Sequence, residues 1–282
     1  MTSKGRLFPY LLIAAPVCFL MAFFVIPSAV LLSMSVVESE DTIPTGTLTL
    51  DNYTTLLSNR LYLGAILRSF TVGVSTGAIV VVLAYPLAYF LVRTTSRWKN
   101  LLIAASLAPL LASVIVRTYG WWVILNREGA VNIALRSLGV IDAPLIMLPS
   151  TAAIVVGLAH ALLPYGVLTI MASLNSLNPN LERAAMSLGA GRARTLLSVT
   201  LPLSTPGIAG GFLLTFAIAM SAYATPAILG GPSTEVMATM IRRFMLDLLD
   251  WSLGSAMGAI LLFSAMLLLL LTSALGERQR AS

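Results

Sequence analysis

Apolar residues fill this chain in long runs, and polar residues are confined to short stretches between them. A helix needs roughly 20 apolar residues to cross about 30 Å of hydrocarbon. Six segments meet that length, at residues 10–36, 68–92, 100–125, 150–172, 204–229 and 252–274. The pattern predicts an all-α polytopic membrane protein in which residues 1–282 form a single transmembrane domain. The first run, Leu7 to Val37, follows Lys4 and Arg6 and is about twice as long as the apolar region of a signal peptide. It reads as an uncleaved first membrane helix.

The 173–203 stretch breaks the pattern of short linkers, because it is polar yet carries helical signals. Asn178 before Pro179 makes a cap and first-turn pair. Leu181, Ala184, Ala185 and Leu188 then fall on one helical face. Gly189 follows as a stop, since glycine takes the left-handed conformation cheaply. A second short helix is predicted from about Gly191 to Val199, broken by Leu201-Pro202 before the next span. An amphipathic helix lying on lipid is the alternative, but the apolar face is modest and alanine-rich, which favours contact with another protein.

Several residues within the spans are candidates for a translocation path. Pro164 lacks an N–H and frees the carbonyl of His160, with Tyr165 beside it. Pro226 does the same for the carbonyl of Ala222, next to Tyr223. Backbone groups freed at this depth need protein or a water-filled cavity around them. Arg68 and Arg117 are the charged residues within apolar runs. Along one continuous helix from Asn100, Arg117 stands roughly 25 Å up, near the outer edge beside Trp121 and Trp122. An arginine facing lipid at mid-depth costs on the order of 3 kcal/mol, so neither arginine should face the bilayer core. The bland reading of the prolines is a packed kink, and of the arginines, snorkelling to water. The pairs Gly73/Gly77, Gly207/Gly211 and Gly254/Gly258 put small residues on one helix face, for intrachain packing or a subunit interface.

Composition supports the membrane. The chain is 58% hydrophobic and 10% charged, whereas a soluble domain carries about 25% charged residues. Cys18 is the single cysteine and His160 the single histidine, which excludes an internal disulfide and a cysteine or multi-histidine metal site. The net charge of +6 is explained by basic loops beside a membrane, without nucleic acid. One set of loops and termini holds Lys4, Arg6, Arg93, Arg97, Lys99, Arg183, Arg192, Arg194, Arg278 and Arg280. The opposite set holds Arg60, Arg127, Arg136, Arg242 and Arg243. The bias places both termini and the 173–203 stretch in the cytoplasm. Acids such as Glu38, Glu40, Asp41, Asp51 and Asp250 fall on the outer side.

The chain has no Gly-rich loop ending in Gly-Lys-Ser/Thr, so no P-loop ATP site is expected in it. Energy must come from a partner or a gradient. An ion-coupled secondary transporter is the alternative, but such machines hold carboxylates within the membrane, and none of the assigned spans contains Asp or Glu. A membrane-embedded transferase would want clustered acids or histidines at one face.

The loop residues now carry a resemblance. Ala184-Ala185, Gly189, Val199, Leu201 and Pro202 match the spacing of the EAA signature of binding-protein-dependent ABC importer permeases. Arg183 occupies the glutamate position, with Glu182 one residue earlier. That departure bears on the salt bridge made by the family's glutamate and leaves the helix–Gly–helix shape intact. LDNYTTLL (50–57), YPLAYFLVR (85–93), VRTYGW (116–121), PGIAGG (206–211) and DWSLGSA (250–256) resemble the spermidine/putrescine permease branch, with a permease core over 64–275.

The resemblance implies a type I ABC importer permease fold in a bacterial inner membrane, and a non-enzymatic chain. Leu181, Glu182, Arg183, Ala184, Ala185, Leu188, Gly189 and Ala190 would form the coupling loop that docks on an ATPase. The implied partners are a second permease subunit, a pair of ABC ATPases, an external solute-binding protein and membrane lipid. ATP and Mg would sit on the ATPase, with no cofactor on this chain. Polyamine is the cargo implied at family level.

Overall fold

The computed structural model describes residues 13–40 and 43–281. Lys4, Arg6 and Asp41, used above for orientation, lie outside the described residues, as do the side chains of Arg278 and Arg280. Helices dominate, as the apolar runs predict. Among the described residues three are long and apolar enough to cross a membrane: α1 (Ile13–Met34), α3 (Arg60–Arg93) and α7 (Thr151–Ser176). Two bent pairs meet the same test together. One is α4 (Lys99–Leu111) with α5 (Val114–Leu125) and α6 (Ala130–Ser137), and the other is α9 (Arg192–Leu203) with α10 (Thr205–Ser221). The chain divides into two compact units.

The first unit holds residues up to 63 and 240–263. No residue of α1 is buried, although Phe19, Phe23, Phe24 and Ile26 are large and apolar. A helix apolar all round and exposed along most of its length needs hydrocarbon or another protein as its surroundings. After α1 comes a two-stranded antiparallel hairpin, β1 (Val37–Glu40) and β2 (Ile43–Leu48), which the helical reading did not anticipate. Then α2 (Asp51–Ser58) explains part of the LDNYTTLL block. Buried Asn52 donates through Nδ2 to the carbonyls of Ser35 and Val37 at 3.0 and 2.8 Å, and Tyr53 OH lies 2.8 Å from Ser35 Oγ. These bonds satisfy backbone acceptors where α1 ends. In the later part of the unit, Asp250 caps α13 (Trp251–Ala281), its Oδ1 accepting from the Leu253 N–H at 3.0 Å.

The second unit holds 64–239 and the chain from 264 onward. Its core lies around α7, with Ile154, Leu158, Leu162, Val167, Ile170 and Leu174 buried. Glycines set the close approaches. A Cβ on Gly166 would stand 2.5 Å from Val80 Cγ1 of α3, and one on Gly207 would strike Ser173 Cβ of α7. Gly73 and Gly77 of α3 receive the rings of Phe216 and Phe212 from α10, 2.8 and 2.9 Å from the would-be Cβ atoms. Two of the three small-residue pairs are therefore used inside the chain. In the third, which belongs to the first unit, Gly254 packs on Met245, and Gly258 faces open space. The start of α12 (Met237–Arg242) is held to α3 by the Met237 N–H, which donates to Ser69 Oγ at 2.7 Å.

Three expectations about helix continuity need correction. The 100–125 run is not one helix: it breaks at Ala112–Ser113, and its two parts are bent by 97°. The 204–229 run also breaks, at Ala222–Tyr223, before a short α11 (Ala224–Leu229). Pro202 does not break its helix. It lies within α9, two residues after a π-helical turn at Leu196–Thr200, and the 64° bend falls beyond it, between Leu203 and Thr205. Pro27 in α1 likewise follows a π turn, Met21–Val25. The wider turn moves the ring away from the carbonyl it would otherwise strike.

Candidate functional site

The polar stretch folds as a protruding pair of helices. Asn178 Oδ1 accepts from the Asn180 N–H at 3.0 Å, and Pro179 opens α8 (Pro179–Ser187). Gly189 has φ of +88°, the left-handed region. Its N–H bonds the carbonyl of Met186 at 3.0 Å, and the Ala190 N–H reaches back to Ala185 at 3.1 Å. This pair of bonds is the Schellman arrangement, which closes a helix end and fixes the exit direction of the chain. Gly191 then caps α9.

The surface of this knob is apolar with a basic border. Leu181 is 46%, Met186 44% and Leu188 89% exposed, and Ala184 is also exposed. Ala185, expected on the same open face, is half-buried, as are Ala190 and Glu182. Arg183 is exposed and donates to Asn180 Oδ1 at 3.3 Å. Glu182 turns the other way. Its Oε1 accepts from Arg93 Nη2 at 2.8 Å and from Thr200 Oγ1 at 2.9 Å. The glutamate shifted by one position still makes an ion pair, within the chain. Nothing in the sequence pattern pointed to Arg93 as its partner, because the two lie on separate elements.

A second site lies where the two broken helices face α7. A cavity of about 820 Å³ is lined by Ala112, Ser113, Val114 and Arg117 from the first break, by Ser221 to Thr225 from the second, and by Leu158, Leu162 and Tyr165. Each break leaves backbone groups without helical partners, and such backbone at membrane depth is tolerated where it lines a cavity. Arg117 satisfies part of that need. Its Nη1 donates to the carbonyl of Pro109, among the last carbonyls of α4, where a cation also opposes the helix dipole. Its Nε is buried without an acceptor among the described residues. Thr118 Oγ1 lies 3.2 Å from Thr225 Oγ1, which ties α5 to α11.

Of the six path candidates, the cavity brings together Arg117, Tyr165 and Tyr223. The other three lie elsewhere. His160 is exposed and accepts at Nδ1 from Trp121 Nε1 at 3.3 Å. Pro164 is buried within an uninterrupted α7. Arg68 donates to the backbone carbonyl of Glu235 at 2.6 Å. The continuous-helix distance that put Arg117 beside the outer edge no longer applies, because α4 ends at Leu111 and Arg117 lies in the first turns of α5. Pro226 frees no carbonyl in a continuous helix. It sits in the first turn of α11, where an N–H would have no helical partner anyway. Ser113, Ser221 and Thr225 line the cavity and were not among the candidates. Arg117 itself was the available signal for the first break, since an arginine in an apolar run needs an acceptor and a helix end supplies one.

No protein-family model matches the chain. The spermidine/putrescine transport system permease protein PotB of Escherichia coli K12 is 31% identical over 246 residues, covering 87% of this chain and 89% of that protein. PotB of Haemophilus influenzae is 29% identical over 84% of this chain and 83% of its own length. Among solved structures, a bacterial ABC transporter involved in the import of the acidic polysaccharide alginate has a chain that matches with a TM-score of 0.80. It is 17% identical, and the match covers 98% of this chain and 96% of that one.

Proposed function

Because the chain belongs to the spermidine/putrescine permease family of ABC transporters, we propose that its α8–Gly189–α9 knob docks on a separate ATPase and that its broken-helix cavity is half of a path for polyamine. The chain is a membrane permease subunit of the binding-protein-dependent kind. The observation that carries the docking reading is the knob itself: an apolar tip led by Leu188, with basic residues around it, on a backbone turn fixed by Gly189. An exposed apolar patch rimmed by polar residues marks a protein contact. With the charge bias of the loops, this reading puts the knob and both termini in the cytoplasm. The ATPase then carries ATP and Mg, a second permease completes the path, and an external binding protein delivers the solute.

The cargo assignment is supported by what the relatives are named for transporting. The cavity offers this solute the rings of Tyr165 and Tyr223 and the hydroxyls of Ser113, Ser221 and Thr225, and no carboxylate lines it among the described residues. Aromatic faces attract a cation, but Arg117 opposes one. Selection for positive charge therefore falls to the binding protein or to the second permease. The test is uptake into proteoliposomes holding the complete assembly. Labelled putrescine or spermidine should accumulate only with ATP and the binding protein both present. Accumulation driven by a proton or sodium gradient without ATP would contradict the importer, and ATP-driven uptake of another solute would contradict the cargo alone.

A further inference from the structure

Three elements meet at one carboxylate oxygen beneath the knob. Arg93 is the last residue of α3, Glu182 lies in the first turns of α8, and Thr200 ends the π turn of α9. Glu182 is the only acid in 173–203. Its side chain is 15% exposed and that of Arg93 24%, so the pair is largely withdrawn from water. A half-buried charge that loses its partner is strongly disfavoured, so this pair resists separation more than a surface pair does. A second tie joins the same helices, with Tyr85 OH of α3 lying 3.1 Å from Ser204 Oγ at the bend between α9 and α10.

The mechanical consequence follows from where the bonds run. α8 reaches α9 through the Gly189 turn, and it reaches α3 through Glu182. Helix α3 in turn packs on α10 through Gly73 and Gly77 and on α7 through Val80 against Gly166. We propose that the Arg93–Glu182–Thr200 cluster is the pin through which movement of α8 is passed to α3 and the bend at Ser204, so that Glu182 is a positioning residue for coupling and not a contact to the ATPase. The inference rests on the reading of α8 as the ATPase-docking element. It also accounts for the charge of the exposed face: with Glu182 turned inward, Arg183, Arg192 and Arg194 are the charges left outside.

The experiment uses the full assembly, with this chain carrying Glu182→Gln, or Arg93→Glu together with Glu182→Arg. The glutamine keeps an acceptor for Thr200 and removes the charge that holds Arg93. Solute moved per ATP hydrolysed should fall about tenfold, in the usual range for loss of coupling between two sites, while the ATPase still copurifies. The exchanged pair should recover much of the ratio, because opposite charges again face each other. An unchanged ratio in Glu182→Gln overturns the pin and leaves docking intact. Loss of the ATPase from Glu182→Gln makes Glu182 a docking contact and also overturns it. Absence of the ATPase from the unmodified assembly removes the docking reading, and the pin with it.

Discussion

Gly189→Val should leave the chain folded in the membrane and abolish ATP-coupled uptake. A Cβ at Gly189 meets nothing within 4 Å, so the substitution causes no clash. Its effect is conformational. At φ of +88°, an L-residue pays roughly 1–2 kcal/mol, and a β-branched side chain makes the position a true outlier. The strain is relieved by opening the turn, which sacrifices the bonds from Gly189 and Ala190 back to Met186 and Ala185. Then α8 leaves α9 at a different angle, and the apolar tip at Leu188 is redirected. Gly191 supplies the control. It also faces open space but has φ of −67°, and Gly191→Ser adds a good cap to α9. That variant should transport like the parent. Uptake and ATP hydrolysis by the two assemblies, at matched protein levels, decide the matter. Normal uptake by Gly189→Val would show that the turn does not set the docking angle.

Gly207→Val should have the opposite phenotype, loss of the protein itself. A side chain there drives into Ser173 Cβ and stands 3.3 Å from the carbonyl of Thr169, both fixed by α7. Neither is the end of a flexible side chain, so relief requires α10 and α7 to separate. Overpacking costs about 1–3 kcal/mol, and more where backbone is the obstacle. The same α10 carries Phe212 and Phe216 into the hollows at Gly73 and Gly77, so displacing it unseats a second contact. The expected result is a much lower yield of membrane-inserted protein, and a lower melting temperature for what remains. Gly210 lies nearby but meets only the methyl of Thr169, at 3.3 Å. Gly210→Ala should be far milder. Equal yields from Gly207→Val and the parent would contradict the helix contact described.

The contrast between these glycines bears on what a sequence can reveal. Gly189 was legible because its signal is local: a cap, a helical face, a stop and the start of a second helix follow one another within 178–191. Leu181, Ala184 and Leu188 were placed on one face for the same reason. The small-residue pairs were visible as faces, but their partners were not, because Phe212 and Ser173 reach them from distant parts of the chain. The helix breaks were the least legible. At Ala112–Ser113 hydropathy continues through the break, with Pro109 and Arg117 as the marks on either side. Tertiary contacts of α4, α5 and α11 around α7 decide where such a run bends, and periodicity does not carry them. Arg93 and Glu182 were each singled out, one for orientation and one for the motif. Their pairing depends on how α3 and α8 pack.

The α8–Gly189–α9 knob should lie in the cytoplasm against an ATPase, and Leu188 is the residue best placed to report it. It is 89% exposed, a better probe than the half-buried Ala185. Cys18 is the single native cysteine, so a Cys18→Ser, Leu188→Cys chain carries one thiol. In intact cells that thiol should resist a membrane-impermeant maleimide, and in the isolated assembly a bifunctional reagent should join it to the ATPase. Labelling of position 188 from outside intact cells would contradict the account.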